Sequence, residues 1–265
     1  MFNITPTVRL LLIINVLVSF VTIHNGSLSD PVAEQFGLHS FFSSAFNPIQ
    51  FITHMFLHGN WGHLISNMIG LIVFGPMLET FWGQRRFTFF YFFTGIGAAL
   101  LFSGINYWEM RDVYHATQEY QANPGFDNFS AFVDQFATSY YERLIPFLDK
   151  FRSYSTNSKN IQDSVAIVNR ILSNQVDEPM VGASGAIFGV IMGFGLLFPN
   201  TQLFLLFPPI PVKAKYLVIF YGAIELYSGI YRAQSDNVAH FAHIGGMLFA
   251  FILVKYWGSQ RKTFY

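Results

Sequence analysis

A chain of 265 residues without cysteine holds neither disulfides nor thiolate metal sites, and its zero net charge offers no Lys/Arg cluster to neutralise phosphates, which excludes a nucleic-acid binder. Hydrophobic residues make up 52% and charged residues only 11%, where a soluble domain carries about 25% charge. That balance is a membrane protein's.

In chain order, the first apolar segment runs from Val8 to about Ile23, with Arg9 near its start. No small-x-small cleavage site follows, so it reads as a retained helix rather than a signal peptide. The loop from Asn25 to about Gln50 is rich in Asn, Gly, Ser and Pro, yet Phe36, Leu38, Phe41, Phe42 and Phe46 make it greasy, which places it in the membrane interface. A second segment spans about Asn60 to Trp82, the basic turn Gly83-Gln84-Arg85-Arg86 follows, and a third segment runs from Phe87 to about Tyr107.

The character then changes. From Trp108 to Glu178 the chain is polar, acids outnumber Lys and Arg, and no run is long enough to cross a bilayer. Apolar residues at helical spacing over about Phe129 to Arg152 and Ile161 to Leu172 predict short helices. A fourth segment, Ala183 to Phe198, is followed by a stretch with Pro208, Pro209 and Pro211 that reads as a loop dipping against the membrane. The fifth and sixth segments run from about Tyr216 to Tyr231 and from about Asn237 to Trp257.

The expected fold is therefore an all-α polytopic bundle of six transmembrane helices with an external helical insertion between the third and fourth. Its parts are residues 1–107, the insertion 108–178, and 179–265. Arg9, Arg85-Arg86, Lys213, Lys215, Lys255, Arg261 and Lys262 all fall on one side, which the positive-inside rule makes cytoplasmic together with both termini. The acidic insertion and the loop holding Arg232 and Asp236 are then external.

The chemistry gathers in the even-numbered segments, which all enter from outside, so residues early in each share a depth. Ser184 and His243 lie roughly 6 to 9 Å down at about 1.5 Å per residue. Gly182, Gly185, Gly189 and Gly193 form a smooth stripe on the fourth segment that lets another helix backbone come close. Ala239, His243, Gly246 and Ala250 share a face of the sixth, so His243, rather than His240, is in phase with close packing. This predicts a Ser184 hydroxyl activated by His243 as general base. His63 and Asn67, four apart on one face of the second segment, join main-chain N–H groups at Gly182 and Ala183 as candidate oxyanion donors. No Asp or Glu lies in the reacting layer of either helix, so a dyad is expected.

Other residues have plainer readings. His54, His58 and His63 could line a transition-metal site, but no carboxylate or His-Glu-x-x-His motif joins them, so His54 and His58 read as braces of the external loop and no metal or cofactor is expected. Glu79 reads as a structural anion paired with the basic turn. Phe188, one turn after Ser184, can lie flat on the His243 ring. Glu225 in the fifth segment has no assigned place.

Gly182-Ala183-Ser184-Gly185, Ala242-His243-Ile244-Gly245-Gly246, the run His54-x3-His58-x4-His63-x3-Asn67 and Glu79 after Gly75-Pro76 together resemble the rhomboid family of intramembrane serine proteases. The resemblance covers about residues 8 to 107 and 179 to 257. It implies a compact six-helix bundle, a Ser184–His243 dyad, His63 and Asn67 at the oxyanion, and cleavage of transmembrane protein substrates near their outer end. The insertion of some seventy residues directly before the serine departs from that pattern. Two other readings stand beside it, a catalytically silent relative that binds transmembrane clients and a polytopic transporter. The brevity of both tails points to a bacterial plasma membrane.

Overall fold

The computed structural model describes residues 4–24, 31–204, 210–231 and 239–260. Arg232, Asp236, Arg261, Lys262, Pro208 and Pro209, on which parts of the orientation and loop readings rest, lie outside them. The order is α1 (Pro6–His24), α2 (Pro31–Phe36), α3 (Gln50–Thr53), α4 (Trp61–Trp82), α5 (Gln84–Ala122), α6 (Phe126–Phe136), α7 (Tyr141–Ser153), α8 (Ser158–Val176), α9 (Ser184–Leu197), β1 (Gln202–Phe204), β2 (Pro211–Lys213), α10 (Ala214–Ile230) and α11 (His240–Gln260). Among the described residues, α1, α4, α5 and α11 are long and apolar enough to cross a membrane, and α9 is a shorter apolar helix. This is a helical membrane protein.

The chain forms two compact units. One takes in residues up to Leu38, Asn47–Ile105 and Pro179 onward; the other takes in His39–Phe46 and Asn106–Glu178. In the first, the core gathers Leu71, Leu78, Phe87, Phe90, Tyr91, Val190, Phe194 and Ala250 from α4, α5, α9 and α11. The opposite faces stay greasy: Leu10, Ile13, Leu17 and Phe20 on α1 and Ile219, Phe220 and Tyr227 on α10 are exposed, as a lipid solvent permits.

Local chemistry sets the ends of α4. The Asn60 side chain accepts from the His63 N–H at 2.9 Å, satisfying a first-turn donor that the helix itself leaves open. The helix stops at Gly83, whose φ of +80° suits glycine. Glu79, near that end, does not pair with the basic turn. Its carboxylate accepts from the Thr5 hydroxyl, from Thr7 N–H at 2.8 Å and from Val8 N–H at 3.0 Å. It thus caps α1, where unpaired amides and the helix dipole favour an anion.

The second unit has its own core of Val113, Tyr120, Phe129, Phe132, Phe151, Val168 and Ile171. The helix expected to stop near Tyr107 continues to Ala122, because Val113, Thr117 and Tyr120 keep a buried helical face among polar neighbours. Asn157 starts α8, its side chain accepting from Lys159 and Asn160 N–H. Of the greasy first loop, Phe42 belongs to this unit and stacks on Tyr107 and Tyr114, so part of its apolar surface is packed on protein. The stretch after α9 contains a short antiparallel hairpin, Gln202 opposite Lys213 and Phe204 opposite Pro211.

Candidate active site

Ser184 opens α9. The loop before it is pinned at Met180, which exchanges two main-chain hydrogen bonds with Leu38, and at Gly182, whose N–H donates to the His54 carbonyl at 2.9 Å. Gly182 has a φ of +133°, a conformation that side chains rarely tolerate. A Cβ there would also stand 2.6 Å from His63 Cε1 and 3.6 Å from Ser184 Oγ. The missing side chain is what lets the His63 ring lie beside the serine.

Across from α9, α11 comes within backbone contact. A Cβ on Gly246 would meet the Gly185 carbonyl oxygen at 1.9 Å, so only glycine allows this approach. The glycine stripe on α9 is divided between partners: Gly185 meets both Ala98 of α5 and Ala242 of α11, whereas Gly189 and Gly193 face Thr94 and Phe90 of α5. The result of the α9–α11 approach is a hydrogen bond of 2.8 Å between His243 Nε2 and Ser184 Oγ. Phe188 lies on the His243 ring with centroids 4.2 Å apart and planes 8° from parallel. That stacking fixes the ring's plane.

Asn67 is buried on the face of α4 that carries His63, and its Nδ2 has no hydrogen-bond partner among the described residues. A buried donor left open is costly and invites an acceptor. Ala183, fully buried, precedes the first turn of α9, whose N–H groups have no acceptor within the helix. His54 Nδ1 hydrogen-bonds the Gln50 carbonyl at 2.7 Å and His58 Nδ1 the Ser19 hydroxyl at 2.9 Å. These two histidines are fastened to the scaffold, as a brace requires.

A family model described as the Rhomboid domain matches residues 45–110 and 163–260, more than half of the chain. The chain belongs to the rhomboid family. Over 52 residues it is 44% identical to rhomboid-like protein 11, chloroplastic, of Arabidopsis thaliana, a match covering 20% of this chain and 19% of that protein. The chain thus matches about a fifth of the length of that curated relative, whose location lends no support to a bacterial plasma membrane. The rhomboid match skips residues 111–162 and resumes inside α8.

One residue of this candidate site was missed in the sequence. Glu225 on α10 is buried, and its Oε2 lies 2.8 Å from His243 Nδ1 and 2.6 Å from His240 Nδ1. A carboxylate therefore adjoins the Ser184–His243 pair, contributed by neither α9 nor α11. A signal for it exists: Gly222, Glu225 and Gly229 recur at three and four on one face of α10, and those glycines abut Met247 and the His240–Phe241 pair of α11. Among the described residues, the metal-type side chains whose donor atoms cluster are Glu225, His240 and His243, not His54, His58 and His63.

Proposed function

We propose that this rhomboid is an intramembrane serine endopeptidase in which Ser184 is the nucleophile and His243 its general base. The observation that carries the reading is the 2.8 Å contact between His243 Nε2 and Ser184 Oγ on two helices in backbone contact. That is hydrogen-bond reach for proton transfer.

Ser184 Oγ attacks the carbonyl carbon of a substrate peptide bond while its proton passes to His243 Nε2. The carbonyl oxygen becomes an oxyanion, and the open Asn67 amide, the His63 ring and the main-chain N–H groups of Ala183 and Ser184 are its donors; Gly182, expected to join them, has its N–H held by the His54 carbonyl instead. Collapse of the intermediate breaks the C–N bond, and the leaving amine takes the proton from His243. Water then attacks the acyl-enzyme, again giving its proton to His243, and releases the acid and a free Ser184 hydroxyl.

The substrates are transmembrane proteins, cut near the outer membrane face, since the reacting layer lies at the start of the helices that enter from outside. Six spans cross the bilayer, α1, α4, the first part of α5, α9, α10 and α11, with both termini cytoplasmic. Residues 108–178 form an external module. Support for this orientation comes from Arg9, Arg85, Arg86, Lys213, Lys215 and Lys255, which it gathers on one side.

Labelling of purified protein by a fluorophosphonate tests the reading, with Ser184→Ala as control. The expected result is labelling of the parent and none of the variant. Equal labelling of both, or of neither, overturns it.

A further inference from the structure

Glu225 touches neither Ser184 nor any position assigned to substrate, yet one of its oxygens is shared between two imidazoles. We propose that Glu225 is a positioning residue, holding His243 in the tautomer that leaves Nε2 free to take the Ser184 proton and stabilising the imidazolium that forms. The inference rests on the protease reading above and extends it from a dyad to a carboxylate–histidine–serine chain.

An ionised carboxylate only accepts, so both Nδ1 atoms beside Oε2 must carry the hydrogen. With Nδ1 protonated, a neutral His243 has a bare Nε2, and the 2.8 Å contact on that side is Ser184 Oγ–H donating to it. The proton therefore stands where general-base catalysis needs it before any substrate arrives. When Nε2 takes the proton, the ring becomes a cation with Glu225 2.8 Å from its other nitrogen, and attraction at that distance is strong in a buried site.

Glu225 and Gly229 lie one turn apart on α10, and a Cβ on Gly229 would meet His240 Cβ at 3.4 Å and Phe241 Cζ at 3.3 Å. Small residues on this face let α10 come close enough for a carboxylate to reach α11. His240, one turn before His243, takes the second hydrogen bond at 2.6 Å. A carboxylate held by two donors and by close helix packing has little freedom to turn away. The charged and titratable groups around His243 are then Glu225 from α10, His63 from α4 and His240 from its own helix.

The same three side chains bring their donor atoms within 4.8 Å of one another, which raises a metal site as the rival. Ligands around a shared zinc at about 2.0 to 2.2 Å stand about 3.3 Å apart. Glu225 Oε2 lies at 2.6 and 2.8 Å from the two nitrogens, which is the spacing of hydrogen bonds. Geometry favours the proton chain.

Two variants test it in detergent-purified full-length protein, with Ser184→Ala as the inactive reference. Glu225→Ala removes both the charge and the acceptor. It should lower kcat and the fluorophosphonate labelling rate by roughly 100- to 10,000-fold with KM within about twofold of the parent. Glu225→Gln keeps the volume and one acceptor oxygen, so it holds the tautomer without the charge and should recover at least about tenfold of that loss. Nitrogen-15 spectra of labelled His243 should show Nδ1 protonated in the parent and in Glu225→Gln, and a tautomer mixture in Glu225→Ala.

A parent labelled at Ser184 together with undiminished kcat in both Glu225 variants overturns the inference and leaves the protease reading standing. A parent that is not labelled overturns the protease reading itself. Should Glu225→Ala fail to fold, Glu225→Gln decides alone: a kcat equal to the parent's, or a loss matched by an equal loss of folded protein, makes Glu225 a structural brace only. One zinc per chain, lost in Glu225→Gln, likewise overturns the proposal.

Discussion

Gly246 of α11 packs so close to the Gly185 carbonyl of α9 that a Cβ at position 246 would stand 1.9 Å from that oxygen. The contact is backbone against backbone, with no flexible side chain to give way. Gly246→Ala must therefore separate the two helices that carry Ser184 and His243. The expected cost is about 3 kcal/mol, at the upper end for overpacking, with loss of fluorophosphonate labelling. Gly258→Ala on the same helix, where an added Cβ meets nothing within 4 Å, should change neither melting temperature nor labelling. A Gly246→Ala protein that melts and labels like the parent would show that the helix contact is not what joins the pair.

His243 and His240 both reach Glu225, but only His243 also reaches Ser184. His243→Ala should abolish cleavage and labelling, whereas His240→Ala should retain measurable activity. The reverse order of effects would assign the base to the wrong imidazole.

Asn67 presents a buried amide nitrogen with no partner among the described residues. If that donor serves the oxyanion, Asn67→Ala slows turnover by roughly 10- to 1,000-fold. It should not unfold the protein, because removing an unsatisfied polar group from a buried position takes away a cost rather than a bond. A large fall in melting temperature with unchanged kcat would make Asn67 structural.

Much of this arrangement was legible in the sequence for reasons that can be named. Helical phase on α11 separates His243 from His240, because only one of them falls in line with Gly246 and Ala250. A spacing of four puts His63 and Asn67 on one face regardless of the rest of the fold. Glu79 and Glu225 were harder because their partners are set by tertiary packing. Glu79 is near Arg85 and Arg86 in sequence, yet its acceptors are filled from the start of α1, more than seventy residues away. Glu225 lies on α10, which carries neither Ser184 nor a histidine, so a search for acids on the helices of Ser184 and His243 passes it over. The continuation of α5 to Ala122 was hidden by the loss of hydropathy at Trp108: the periodic apolar positions persist, but the average that marks a span does not.

Glu79 offers a test that separates stability from chemistry. It accepts two main-chain N–H groups and a hydroxyl at the start of α1. Glu79→Ala leaves those donors open and should cost about 1 to 3 kcal/mol. The proposed Ser184–His243 site is built without it, so protein that remains folded should be labelled at the parental rate. Weaker labelling per folded molecule would mean that α1 bears on the site after all.

His54 sits in the turn between α3 and α4, outside the spanning helices. Burial is the larger influence on it and lowers its pKa, the Gln50 carbonyl opposes that only in part, and the result is about 4 against an ordinary 6.5. The sign follows from proton counts. As pH falls through about 6.5 the unfolded chain takes up a proton at His54 that the folded protein refuses until about 4, so stability present above 6.5 is lost on acidification. A gap of that size corresponds to about 3 kcal/mol at its limit. The His54 carbonyl holds the Gly182 N–H, so the same acidification loosens the segment that presents Ser184. Melting temperatures in detergent from about pH 7.5 to about 4.5 should therefore fall more steeply for the parent than for His54→Gln, whose amide does not titrate. Groups common to both proteins, the buried His58 among them, cancel in the comparison. Parallel curves would show that His54 is protonated in the folded protein as readily as in the unfolded one, and would remove it as the acid-sensitive point of the loop.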